Sequence, residues 1–123
     1  MTEPNFSAAD TSLQTEKEIR GNALLYHFEG GFSLVNHAVL AQIVQEIKAA
    51  PQRKILMDLA GVRFMDSMGV GILVTILKYA RANAIDFAVV SNDVVDQILG
   101  VARLNQVLHI VRNLEDALGT PAP

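Results

Sequence analysis

Hydrophobic and polar positions along this chain repeat with two periods, and the switches between them divide it into elements. Residues 12–20 read as a weak edge strand, with Leu13, Thr15 and Lys17 alternating with polar or charged neighbours. Gly21-Asn22 is a turn signal. Leu24, Tyr26 and Phe28 then alternate with Leu25 and His27, a strand with both faces at least partly covered, which Gly30-Gly31 ends. From Leu34 to about Ala49 the period becomes helical. Leu40, Ile43, Val44 and Ile47 form one buried face, Gln42, Gln45, Glu46 and Lys48 lie outside it, and Pro51 stops the helix.

Continuous apolar runs at 53–59, Ile85–Val90 and Val107–Val111 suit strands covered on both sides. Between them lie helical patterns. The one after Ser67 carries Val70, Leu73, Val74 and Leu77 on one stripe, widened by Ile72, Ile76 and Tyr79, with Lys78 and Arg81 at its cation-favouring C-terminal end. Another begins near Asp93 with Val94, Val95, Ile98, Leu99 and Ala102 inward. A last short helix begins near Asn113, with Glu115 and Asp116 in its first turn and Gly119 as its stop. The order is β-β-α-β-α-β-α-β-α. It predicts an α/β fold with a mixed, mostly parallel sheet of about five strands and about four helices. Residues 1–11 read as a mobile tail, 12–119 as one domain, and 120–123, with two prolines, as a C-terminal tail.

Composition narrows the function classes. A net charge of −3 without a basic run argues against nucleic-acid binding. The absence of cysteine excludes disulfides, thiolate zinc sites and a cysteine nucleophile. Three scattered histidines form no metal-ligand cluster, and His27 and His109 read as partly buried structural residues of strands. The longest apolar stretch, Val70–Leu77, is broken by Thr75 and is too short to cross a bilayer, and the N-terminus does not resemble a signal peptide. A cytoplasmic protein is expected.

Candidate chemistry concentrates at Phe64-Met65-Asp66-Ser67-Met68-Gly69-Val70-Gly71, a polar step between a strand and a helix. Asp66 and Ser67 occupy the N-cap region, where a side-chain oxygen accepts from the first-turn N–H groups. Ser67 has two readings: a structural N-cap, or a phosphoacceptor whose added charge beside Asp66 would repel an acidic or apolar partner. It lacks the preceding glycine of a nucleophile elbow, and Gly69-Val70-Gly71 lacks the third small residue of a dinucleotide fingerprint. The N–H groups and positive dipole end of the helix start could hold an anion. No catalytic residues, metal site or cofactor are expected.

The segment from Lys54 to Leu77 resembles the signature of the STAS domain, the fold of bacterial anti-sigma factor antagonists, and the element order extends that resemblance over nearly the whole chain. In that family the motif usually reads aspartate, serine, serine or threonine, glycine, with the residue before the glycine taking the phosphate. Met68 stands there and has no hydroxyl. Met68 reads either as a flexible apolar docking residue or as drift at a disused site. Ser33, in Gly30-Gly31-Phe32-Ser33, falls where the family often has an aspartate.

The resemblance implies a non-enzymatic module that binds an anti-sigma factor, usually a serine kinase. Its implied partner-facing residues are Ser33, Asp66, Ser67, Met68, Gly69, Val70 and Ile72, with Ser67 as the phosphorylation candidate. Two alternatives stand beside it: an accessory subunit binding an ABC transporter ATPase, and a small-anion or nucleotide sensor.

Overall fold

A computed structural model describes residues 12–118. The expectations for the tails 1–11 and 120–123, and for Gly119 as a helix stop, lie outside these residues. An antiparallel hairpin of β1 (Leu13–Arg20) and β2 (Ala23–Phe32) is followed by a 3-10 turn at Leu34–Asn36 and α1 (His37–Ala49). Then come β3 (Lys54–Met65), α2 (Ser67–Ala82), β4 (Asp86–Val90), α3 (Asp93–Val101), a 3-10 turn at Leu104–Gln106, β5 (His109–Val111) and α4 (Leu114–Leu118). The sheet runs β1-β2-β3-β4-β5, with β1 antiparallel and the other pairs parallel. This is the five-stranded mixed α/β sheet that the hydrophobic pattern predicts.

Each parallel strand is added on the same side of the last, and such crossovers share one hand, so α1, α2 and α3 all lie on one face. The main core lies there. Leu24, Tyr26 and Phe28 of β2 and Ile55, Met57 and Leu59 of β3 meet Leu40, Ile43, Leu73, Ile76, Val95 and Leu99. The opposite face holds a small cluster of Ala23, Leu25, Leu56, Ala88, Val90 and Ala117, covered by α4. The predicted face of α1 is the one buried.

Several expectations shift. β2 does not end at Gly30-Gly31 but continues to Phe32. Gly30 makes this possible: at φ +111° it takes a conformation open to glycine, and a Cβ there would lie 2.0 Å from the Ser12 carbonyl oxygen. β3 likewise runs past residue 59 to Met65. Register shifts near Gly61 and Phe64 let its second half, from Ala60 to Met65, stay paired with β2. The buried stripe of α2 is Gly69, Ile72, Leu73, Ile76 and Ala80, while Val70, Val74 and Leu77 are half-buried. This helix is apolar on most sides, so the spacing placed the stripe on a flank next to the one that is buried.

In α3 only Val95 and Leu99 are buried, Ile98 is half-buried, and Val94 and Ala102 are exposed. β5 is three residues long, because Leu104–Gln106 turns first, and its His109 is exposed rather than partly buried. Its two faces are nonetheless both partly covered, Ile110 packing against the main core and Val111 against the cluster on the opposite face.

Candidate functional site

β2 and β3 outrun β4, whose pairing with β3 stops at Asp58–Val90. Their extensions end together, with Phe32 opposite Met65. The next residues, Ser33 and Asp66, therefore sit side by side beyond the sheet, where β3 passes directly into α2.

Asp66, not Ser67, is the N-cap. Its backbone is extended, and its Oδ1 accepts from Gly69 N at 3.0 Å. Its Oδ2 accepts from Leu34 N at 3.0 Å. One carboxylate thus satisfies a first-turn amide of α2 and ties the turn after β2 to that helix. Ser67, expected as one candidate for the cap, is the first helical residue and is exposed. Gly69 is buried, and a Cβ on it would lie 2.2 Å from the Phe32 carbonyl oxygen and 2.8 Å from the Phe32 ring. The first turn of α2 packs on the end of β2 because residue 69 has no side chain. Gly71 has nothing within 4 Å of such a Cβ, so the close-packing reason applies to Gly69 alone.

The residues that the sequence placed toward a partner thus divide into two sets. Ser67 is exposed, and Asp66, Met68 and Val70 are half-buried at the surface. Ser33, Gly69 and Ile72 are buried. Ser33 is 1% exposed because the extended chain carries it beneath the Leu34 turn, and its Oγ has no hydrogen-bond partner. These three residues support the surface instead of forming it.

Around Ser67 the surface is apolar. Met65, Asp66, Ser67 and Val70 form one wall of an open groove, and Gln97, Ile98, Val101 and Ala102 of α3 form the other. Val101 is 84% exposed, and Leu34 and Val35, in the turn beside Asp66, are 64% and 73% exposed. Phe64 is also exposed, at the end of β3. The sequence reading missed these residues. Leu34-Val35 beside Ser33 was a usable signal, and so was Val101, an apolar residue outside the inward spacing of its helix.

The α3 wall is held firmly. Asn92 Oδ1 accepts from Val95 N at 2.8 Å, capping α3, and its amide donates to the carbonyls of Ala60 (3.0 Å) and Val62 (2.8 Å) on β3. The buried Ser91 hydroxyl donates to Asp96 at 2.5 Å, and Arg112 bridges Asp96 and Asp93. Those two carboxylates hold the Arg112 pKa above its ordinary value, the hydrogen bond to Asp93 being the largest cause.

Of the three histidines, His37 directly follows the Leu34–Asn36 turn beside this site, and His27 and His109 lie on strands. His27 lies on the α4 side of the sheet, with Nδ1 2.8 Å from Asp58 Oδ2 and Nε2 3.0 Å from Glu18 Oε1. Partial burial disfavours its charge, but the hydrogen bonds to Asp58 and Glu18 outweigh burial and raise its pKa. His37 opens α1 and His109 is on β5. No histidine hydrogen-bonds Ser67 among the described residues, so these residues contain no serine–histidine pair at the loop. Nor do they contain a group of three or more His, Cys, Asp or Glu able to hold a metal ion. No helix among them is long and apolar enough to cross a membrane.

The model of the STAS domain family matches residues 14–117. The structure is similar to that of an anti-sigma factor antagonist from Mycobacterium paratuberculosis, with a TM-score of 0.77 and 23% identity, covering 87% of this chain and 92% of that one. It is also similar to a putative anti-sigma factor antagonist from Thermotoga maritima, with a TM-score of 0.78 and 23% identity over 85% of this chain and 91% of that one. A sulfate transporter family protein from Wolinella succinogenes matches with a TM-score of 0.65 and 15% identity over 83% and 86%. At these identities the likenesses are likenesses of fold.

Proposed function

The chain belongs to the STAS domain family, and from that premise we propose that it is a non-enzymatic, cytoplasmic partner-binding module of the anti-sigma factor antagonist type. Its partner would be an anti-sigma factor of the serine-kinase kind. The observation that carries this reading is the apolar surface around an exposed, rigidly capped helix start. Leu34, Val35 and Val101 stand in solvent on either side of Ser67, and Asp66 fixes the backbone between them. Exposed apolar side chains gathered on a rigid frame favour protein docking, because their burial contributes free energy without ordering a loop. Asp66 acts here through the backbone amides it holds, since both its oxygens are engaged.

Ser67 would be the point of phosphate control, because Met68 has no hydroxyl. A phosphate on Ser67 would put nearly two negative charges into an apolar groove beside the Asp66 carboxylate, which opposes docking of an apolar surface. The helix N-terminus itself would tolerate the charge.

The test is titration calorimetry of the protein against each purified anti-sigma serine kinase of its host, followed by incubation with ATP and mass spectrometry. Binding to one kinase, weakened at least about tenfold by Ser67→Asp, is expected, a change of about 1.4 kcal/mol. No binding to any kinase, together with co-purification of an ABC transporter ATPase, would replace this reading with that of a transporter subunit. A rise in melting temperature with a nucleotide or phosphate alone would favour ligand sensing.

A further inference from the structure

We infer that Met68 is a site of reversible oxidation to the sulfoxide and that this modification weakens docking at the start of α2; the regulatory half rests on the partner-binding reading above. The chain has no cysteine, so thioethers are its readily oxidised sulfur groups. Met57 and Met65 are 0% and 5% exposed, whereas Met68 is half-buried and follows the exposed Ser67. Among the described residues it is the methionine that a dissolved oxidant can reach.

Its position gives the oxidation a consequence. At 100° per residue, Met68 and Val70 fall on opposite flanks of the buried stripe of α2. Val70 lines the groove against α3. Met68 shares the other flank with Tyr79, whose hydroxyl donates to the Lys48 carbonyl of α1 at 3.1 Å. That is the side of the exposed Leu34 and Val35, which precede α1. Met68 therefore extends the apolar surface on the α1 side of the helix start, across the exposed Ser67 from the groove on its α3 side, and part of it packs on the core.

The oxidant is hydrogen peroxide or an organic hydroperoxide. The sulfur lone pair attacks one peroxide oxygen, the O–O bond breaks, and the other oxygen leaves as water or an alcohol. Sulfur loses two electrons and the peroxide gains them. A thiol-dependent sulfoxide reductase reverses the step: two thiols become a disulfide and the oxygen leaves as water. The product is uncharged but strongly polar, so a partner that buries Met68 must desolvate an S–O dipole.

The experiment has two arms. In the first, native protein is treated with hydrogen peroxide and its peptides are mapped by mass spectrometry. Met68 should oxidise at least about tenfold faster than Met57 and Met65, and all should react alike in guanidinium chloride. Equal rates in the native protein would overturn the inference whatever the partner.

In the second, the cognate serine kinase is titrated with reduced and oxidised protein. Oxidation should raise Kd about tenfold, reductase with dithiothreitol should restore it, and Met68→Leu should bind well and ignore peroxide. Met68→Gln, folded by circular dichroism, should bind weakly without peroxide. Equal Kd values for reduced and oxidised protein, or equal peroxide sensitivity of Met68→Leu, would overturn the inference and leave the docking reading intact. Failure of the reduced protein to bind any kinase would overturn the docking reading, and the regulatory half with it.

Discussion

One added methyl group separates the two glycines at the start of α2. A helix interior favours alanine over glycine by about 1 kcal/mol, so propensity alone predicts stabilisation at both positions. At Gly69 the Cβ would meet the Phe32 carbonyl at 2.2 Å and Met65 Cγ at 2.9 Å, and the first is strand backbone, which must itself shift to make room. Gly69→Ala should therefore destabilise by about 1–3 kcal/mol, while Gly71→Ala should stabilise by about 0.5–1 kcal/mol, both read from urea midpoints. The sequence presents the pair as one Gly-x-Gly motif, because the asymmetry arises from a strand thirty-odd residues earlier in the chain. The cap was legible as chemistry but not as an atom: Asp66 and Ser67 are both good caps, and the Leu34 amide decides between them. Asp66→Ala should lose about 1–2 kcal/mol in the same assay, and Asp66→Asn less, since an amide oxygen still accepts from Gly69.

At the scale of elements, the groove depends on where α3 stands. Asn92 makes the helix cap and at least two bonds to β3 carbonyls with one side chain, whereas Arg112 ties exposed carboxylates together. Asn92→Ala should cost about 1–3 kcal/mol by leaving those groups unpaired, and hydrogen exchange of the α3 amides should quicken. Arg112→Ala should change stability by no more than about 1 kcal/mol, because exposed ion pairs contribute little.

The order of elements was readable throughout, since each helix and strand has its own period. What stayed hidden was orientation and extent. α2 has apolar residues on most sides, so its stripe was placed one flank away. β3 passes through Ala60-Gly61-Val62-Arg63, which reads as a loop until β2 is there to pair with it. Val94 and Ala102 were read as inward but are exposed, because a nine-residue helix has one short face to bury.

On the scale of the whole molecule, the two faces of the sheet are unequal, and the thinly covered one carries a charge-coupled clasp. Glu18 on β1, His27 on β2 and Asp58 on β3 form a line across three strands, with Arg20 also bonded to Glu18. Both ring nitrogens face carboxylate oxygens, so both can donate only when the ring is an imidazolium. The carboxylates accordingly raise the His27 pKa despite its partial burial. The Arg20 and His27 hydrogen bonds hold the Glu18 carboxyl below its ordinary value.

Linkage then fixes the signs. His27 contributes stability that is fully present below the ordinary histidine value of about 6.5 and is lost as pH rises through its raised folded value. Glu18 contributes stability that is present above the ordinary glutamate value and is lost as pH falls through its lowered one. Both contributions are in force together at about pH 5–6. The protein should therefore lose stability relative to His27→Gln between about pH 6 and pH 9, measured by urea midpoints at both ends of that range. The β1 amides should show the same trend in hydrogen exchange, because β1 is the edge strand that the clasp fastens. A difference that does not change with pH would mean that the ring is not charged between its two carboxylates.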